Sequence, residues 1–442
     1  MNRHDLLLSY YGDDFTGSTD VLEALTLGGV PAVLFLKPPT VDDLRRFPEC
    51  RAVGVAGMSR SRSPEWMTEH LPGIFAALGE LGAPLCHYKV CSTFDSSPTR
   101  GSIGRAVELG RQVFGTSCVP LVVGAPVLKR FVVFGNLFAA SGGENVRIDR
   151  HPTMSRHPVT PMDEADLRRH LARQSNLACS LVDLLALQCG RGMDSYVEAR
   201  RAGAGMALFD TLDAASLLET GKTIWESRGT PPCFVAGSSG VEYSLLAWWA
   251  VKGMLPPGPA IVDAGPVDRL LVVSGSCSPG TGRQIRWAME NGFEGVAVDA
   301  RRLIAGDEEL ARVLRAAGQA LAAGQSPVVY TAAGPVDLVA GSDAGGLIGE
   351  RLGQLASELV RHYGIRRVLI AGGDTSGHVG HELGIEALTM VRPFAPGSPL
   401  CRIWSREAAV DGIQILMKGG QVGADTLFGE VRSGKPAASP AN

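Results

Sequence analysis

What most limits the folds open to this chain is a repeated passage: a short apolar run, a glycine-bearing turn, then a helical stretch. Leu6 to Tyr11 leads into Gly12-Asp13-Asp14 and a helical pattern from about Ser18 to Leu27. Comparable runs stand at Val33 to Leu36, Ala52 to Ala56, Leu121 to Gly124 and Phe234 to Ala236. They recur at Leu270 to Val273, Gly295 to Val298, Pro327 to Tyr330 and Arg367 to Ile370. Strands apolar on both faces, alternating with amphipathic helices, belong in a parallel sheet covered on each side. The 55 glycines are roughly twelve per cent of the chain against an average of about seven. Many of them follow the apolar runs, which marks them as strand-to-helix turns.

At 442 residues the chain calls for more than one domain. The segment Gly253-Met254-Leu255-Pro256-Pro257-Gly258-Pro259 reads as a linker. The expected fold is α/β with two domains, 1–252 and 260–432, each a mainly parallel sheet flanked by helices, and a flexible tail over 433–442. Helical periodicity is also plain at Asp163 to Gln174 and Met193 to Ala202. A net charge of −3 with scattered basic residues argues against a nucleic-acid surface. No run approaches the ~18 apolar residues of a membrane span, and the N-terminus lacks a signal-peptide pattern. Nine dispersed cysteines without a C-x-x-C pair fit reduced thiols in a cytoplasm. A homo-oligomer is left open.

Open α/β sheets bind ligands beyond the carboxyl ends of their strands, which singles out five turns. In the first, Gly12-Asp13-Asp14-Phe15-Thr16-Gly17, one acid can cap the helix. The second acid is surplus to capping and suits a polyol substrate or the proton of an attacking hydroxyl. Which of Asp13 and Asp14 serves as base stays open. Ser59-Arg60, after another strand, offers a planar fork and a hydroxyl to a carboxylate. The loop Lys89 to Gly104 gathers Lys89, Asp95, several hydroxyl residues and Arg100 ahead of a helix, as a substrate-facing loop would.

The fourth turn, Ser274-Gly275-Ser276-Cys277-Ser278-Pro279-Gly280, lies between a strand and a helix expected near Arg283, a context for phosphate. It lacks the lysine of a P-loop and the glycine order of the dinucleotide fingerprint. The fifth, Gly372-Gly373-Asp374-Thr375-Ser376, offers an acid for Mg²⁺ and two hydroxyls for phosphate oxygens. Met417 to Gly423 supplies another glycine-rich turn. His378 and His381 lie three apart, but no third ligand beyond Asp374 is near enough in sequence to suggest zinc. Gly237-Ser238-Ser239-Gly240 lacks the order of a nucleophile elbow.

Taken in order, these segments resemble the four-carbon acid sugar kinase family over nearly the whole chain. The family's D-D-x-T-G stands as Asp13-Asp14-Phe15-Thr16-Gly17, its S-R as Ser59-Arg60, and its G-S-x-G as Gly237 to Gly240. Its S-G-S-C-S stands as Ser274 to Ser278, its G-G-[DE]-T-S as Gly372 to Ser376, and its K-x-G-x-x-G as Lys418, Gly420 and Gly423. Each is weak alone; six in order are specific. The resemblance implies an acid-sugar-binding N-terminal domain, an ATP-binding C-terminal domain and transfer to the terminal hydroxyl in the cleft between them. It implies ATP contacts from Ser274, Ser276, Gly372, Gly373, Asp374, Thr375, Ser376 and Gly420. Asp13, Asp14, Ser59, Arg60 and Lys89 would face the substrate. One departure concerns the third loop: where the family reads K-x-D-S-T-L-R-G-N, Cys91 stands for the acid, and Asp95 replaces it only if the loop is rearranged. That change puts the family's usual tetronates in question as substrate and leaves ATP use untouched.

Two other readings compete. A dinucleotide-dependent hydroxy-acid oxidoreductase would need a ribose-binding acid, and Asp299 lies 24 residues past Gly275. A non-catalytic sensor could keep the fold and bind a sugar acid without turnover. Titration with ATP against NADH separates the first, and an ATPase-coupled screen of sugar acids separates the second.

Overall fold

The computed structural model describes residues 6–436 apart from 158, 230–231, 257, 259–260, 262 and 335–343. The chain divides into two compact units, one of residues 1–33 and 37–259 and the other of 34–36 and 260–442.

The first unit carries β1 (Leu8–Gly12), the first half of β2 (Ala32–Phe35), β3 (Ala52–Ala56), β4 (Leu85–Lys89) and β5 (Val119–Val122). β6 (Arg130–Val133), β7 (Asn136–Ser141) and β8 (Glu144–Arg147) follow, then β9 (Cys179–Val182), β10 (Met206–Phe209) and β11 (Cys233–Gly237). The main sheet runs β2-β3-β1-β4-β11-β5-β10-β9, parallel from β3 onward. Each of β1, β3 and β4 is buried along its whole length, as the apolar runs require. Tyr11, Phe75, Tyr88 and Phe234 pack ring against ring beneath them. β1 sits where the strand order reverses, so the turn after it opens at the switch point of the sheet.

β6, β7 and β8 form a separate antiparallel sheet that the sequence reading did not foresee. Its strands are only half-buried and their hairpin turns on Phe134 and Gly135, both at positive φ, so no long apolar run announced it.

The second unit holds β12 (Leu271–Ser274), β13 (Phe293–Ala297), β14 (Ser326–Tyr330), β15 (Arg367–Ala371), β16 (Ala387–Ala395), β17 (Ser398–Trp404) and β18 (Gln414–Lys418). Their order is β13-β14-β12-β15-β18-β17-β16. The first five are parallel, while β17 runs antiparallel to both neighbours. Val272, Ile285, Phe293, Val328, Leu369, Leu416 and Phe428 form its core. β12 is the switch point here. The helix after it spans Pro279–Glu290, a turn earlier than the expected start near Arg283. Ser278 caps it and Pro279 takes its first position, where a proline's missing N–H costs nothing.

Candidate active site

In the first unit, register brings the ends of β3, β1 and β4 level: Gly12 stands opposite Ala56 on one side and Lys89 on the other. The chain is pinned there by Gly57 N–H to Gly12 O, Asp13 N–H to Lys89 O and Arg60 N–H to Asp13 O, at 2.9, 2.9 and 3.0 Å. Three turns far apart in sequence therefore share one edge.

Asp14 caps the helix Phe15–Leu27, with Oδ1 accepting from Gly17 N–H at 2.7 Å and Oδ2 from the Thr16 hydroxyl at 2.8 Å. Asp13 does no capping. Arg60 grips it through Nε and Nη2, at 3.1 and 2.7 Å, and reaches Asp14 through Nη1 at 2.8 Å. Each guanidinium nitrogen thus already donates to a carboxylate, although the sequence offered Arg60 to an incoming acid. Burial pushes the Asp13 carboxyl up to about 6 against the pull of Arg60, with the neighbouring Asp14 charge adding to the rise.

Lys89 is fully buried and pairs with Asp20 at 3.2 Å. Burial works against its ammonium, yet Asp20 and the acids nearby hold it above the ordinary lysine range. Asp20, one turn into the helix, escaped the sequence reading; its Oδ1 is buried without a partner. Gly17 completes the cradle, since a Cβ there would lie 2.6 Å from Asp14 Oδ1, 3.2 Å from Lys89 Nζ and 3.6 Å from Arg60 Nη2. The Ser59 hydroxyl is buried and lies 3.0 Å from that of Tyr88, beneath the cradle.

The loop after β4 folds back on itself. Phe94, buried and with φ of 58°, reverses the chain so that Asp95 turns back toward Cys91. The Thr93 hydroxyl lies 2.5 Å from Asp95 Oδ1 and 2.9 Å from Cys91 Sγ, so acid and thiol meet at one group. Burial raises the Cys91 thiol, and the Asp95 charge raises it further. Ser96 anchors the loop to His170 and Gln174, at 2.9 and 2.8 Å.

In the second unit, Ser274, Ala371 and Lys418 stand level at the ends of β12, β15 and β18. The Ser274 hydroxyl accepts from Ser276 N–H and the Ser276 hydroxyl from Ser278 N–H, which curls the turn. Gly372 has φ of 124°, so the chain turns sharply from β15 into the helix Gly373–Glu382. Within it Thr375 is buried, and Ser376 donates to Gly372 O at 2.8 Å. The Asp374 side chain, the expected metal ligand, lies outside the described residues. Gly420 faces Ser276 and Ser278: a Cβ there would sit 2.8 Å from Ser276 Oγ. Ser278 and Thr281 donate to its carbonyl, and Lys418 Nζ donates to Thr281 Oγ1 at 2.9 Å. Lys418 is fully buried with no carboxylate partner among the described residues, and burial pushes it down to about 8. Asp299 Oδ1 is spent capping the helix Ala300–Ala305, accepting from Arg301 and Arg302 N–H at 2.9 and 3.1 Å. β14 also stands between β12 and β13, the strand that leads to Asp299, so this acid does not end the strand beside the Gly275 turn as a dinucleotide's ribose acid would.

Comparison with known proteins agrees with this division. Residues 8–245 match the family described as a sugar-binding N-terminal domain, and residues 271–428 one described as a nucleotide-binding C-terminal domain. A 3-oxo-isoapionate kinase of Paraburkholderia graminis is 49% identical, over 98% of this chain and 95% of its own. A 3-oxo-tetronate kinase of Methylobacterium radiotolerans is 32% identical, over 96% and 98%. A solved structure from Salmonella typhimurium LT2 shares the fold with a TM-score of 0.77 at 24% identity, covering 96% of this chain and 98% of that one. With relatives matched along almost their full length and both halves matched in order, the chain belongs to the four-carbon acid sugar kinase family.

Proposed function

We propose that this protein is an ATP-dependent kinase that phosphorylates the terminal hydroxyl of a short 3-oxo sugar acid. The observation that carries the reading is Asp13: a buried carboxylate at the switch point, free of capping and with its pKa brought to about 6. A base works best when its pKa lies near the working pH. Asp13 takes the proton of the attacking hydroxyl as its oxygen bonds to the γ-phosphorus of ATP and ADP leaves. Asp14 holds the helix start, and Arg60, with Ser59 in the layer below, fixes both acids in place. Lys89 and Asp95 face the acceptor's oxygens.

The nucleotide is held in the second unit by Ser274, Ser276, Gly372, Gly373, Thr375, Ser376 and Gly420. The metal in this reading is Mg²⁺, with Asp374 as its protein ligand. The described residues hold no cluster of three or more His, Cys, Asp or Glu suited to a metal ion. The 3-oxo acceptor class is supported by the names of the two relatives. A cytoplasmic place of work is supported by nine unpaired cysteines, and no helix of the described residues is long and apolar enough to cross a membrane.

The test is coupled turnover of ATP with 3-oxo-isoapionate, 3-oxo-tetronate and other short sugar acids. Asp13→Asn should lower kcat by about 10²- to 10⁴-fold while ATP binding stays intact. Wild-type silence across the panel would favour a sensor, and normal turnover by Asp13→Asn would move the base elsewhere.

A further inference from the structure

We propose that Arg130 binds the carboxylate of the sugar acid, through the Nε–Nη2 edge of its guanidinium. The inference rests on the kinase reading above for the identity of the acid, and on the geometry of the first unit for the site.

The cations that the sequence set toward the substrate are already engaged. All three nitrogens of Arg60 donate to Asp13 or Asp14, and Lys89 pairs with Asp20. A ligand that drew Arg60 away would leave two adjacent acids uncompensated, one of them buried, which is strongly unfavourable. A cation without a carboxylate partner is the better match for the substrate's charge.

Arg130 lies on the same edge. The ends of β4, β11 and β5 are level, with Gly237 opposite both Lys89 and Val122, and Val90 N–H donates to Gly237 O at 2.7 Å. Just beyond β5, Ala125 bridges to Arg130 at the start of β6. The guanidinium is within electrostatic reach of Cys91, the residue that shares the Thr93 hydroxyl with Asp95.

Its bonding is lopsided. Nη1 donates to the carbonyls of Leu128 and Lys129, both at 3.1 Å, and the turn carrying them is held with Lys129 at φ of 55°. Carbonyl dipoles orient a cation without neutralising it. Nε is buried and has no hydrogen-bond partner, and no carboxylate pairs with Arg130 among the described residues. Burial without a compensating charge lowers its pKa. His151, close by, does not compete for an anion: its Nδ1 accepts from Thr153 and Met154 N–H, and burial together with Arg130 lowers its pKa. What remains unpaired on Arg130 is the side of the fork that takes a carboxylate through two parallel bonds.

The experiment compares equilibrium binding of 3-oxo-tetronate and erythrulose, in which a hydroxymethyl group replaces the carboxylate. Wild type should prefer the acid by roughly 10- to 100-fold, the range of a hydrogen bond to a charged group. Arg130→Gln should lose that preference while binding ATP as before. Arg130→Lys, which keeps the charge but not the fork, should retain part of it and guards against a misfolded glutamine variant. No acid preference in wild type, or an undiminished one in both variants, overturns the inference. Turnover judges the kinase reading separately: wild type that prefers the acid yet transfers no phosphate would sink that reading and leave Arg130 as a carboxylate site.

Discussion

Removing Arg60 should destabilise the protein in a way that depends on pH, and the size of the effect follows from Asp13. In wild type the Asp13 carboxyl titrates near 6 in the folded state and near its ordinary value of 3.8 in the unfolded chain. A raised carboxyl pKa favours folding below the unfolded value, and that contribution is lost as pH rises through the folded one. For this group the loss between about pH 4 and 6 is on the order of 3 kcal/mol. Arg60 limits it by pairing with the ionised form. In Arg60→Ala the pull is gone and Asp14 remains beside Asp13, so the folded pKa climbs further and the window of loss widens upward. At pH 5 Asp13 is largely protonated in the variant, and the cost should be about 1 kcal/mol, mostly lost packing. At pH 8 Asp13 must ionise without its partner and beside Asp14, and about 3–5 kcal/mol is expected. Urea unfolding of wild type, Arg60→Ala and Arg60→Ala/Asp13→Asn at the two pH values reads this directly. The double variant should recover most of the stability missing at pH 8. An equal loss at both pH values, or simple additivity of the two substitutions, would refute the argument.

The rate profile should carry the same signature. kcat/KM should fall below about pH 6 as Asp13 takes up a proton, and the KM for ATP should rise above about pH 8 as the buried Lys418 loses its ammonium charge. Steady-state kinetics across pH 5–9 in wild type and Lys418→Met would check both limbs, the second vanishing in the variant. Gly420→Val should weaken ATP binding by at least tenfold, because even its Cβ falls within 3.0 Å of Ser276 and Ser278. Acceptor binding should not change, and calorimetric titration of each ligand separates the two.

Much of this molecule was legible in the residues because the signals are local. An apolar run buried on both faces, a glycine where the chain must turn, and a Ser or Asp ready to cap the next helix act within a few positions of one another. That is why the strands ending at Gly12, Ala56, Ser274 and Ala371 could be read before any coordinates. The antiparallel β6–β8 and β16–β17 pairs were not read, since short half-buried strands joined by tight turns lack such a signature.

The motif order by itself determined that this chain carries an acid-bearing turn near its start and glycine-rich turns near its end. Tertiary structure decided which charges meet. Arg60 reaches Asp13 and Asp14, and Lys89 reaches Asp20, because parallel register sets strand ends level that lie tens of residues apart; Arg130, brought beside them by an antiparallel bridge, keeps a buried Nε without a partner among the described residues. The same holds for Asp95, brought back to Cys91 by one left-handed residue, Phe94. Sequence lists the ionisable groups of a site. Only their distances and burial decide which charges neutralise one another and which are left for a substrate, because Coulomb energies depend on separation and on the water excluded around each pair.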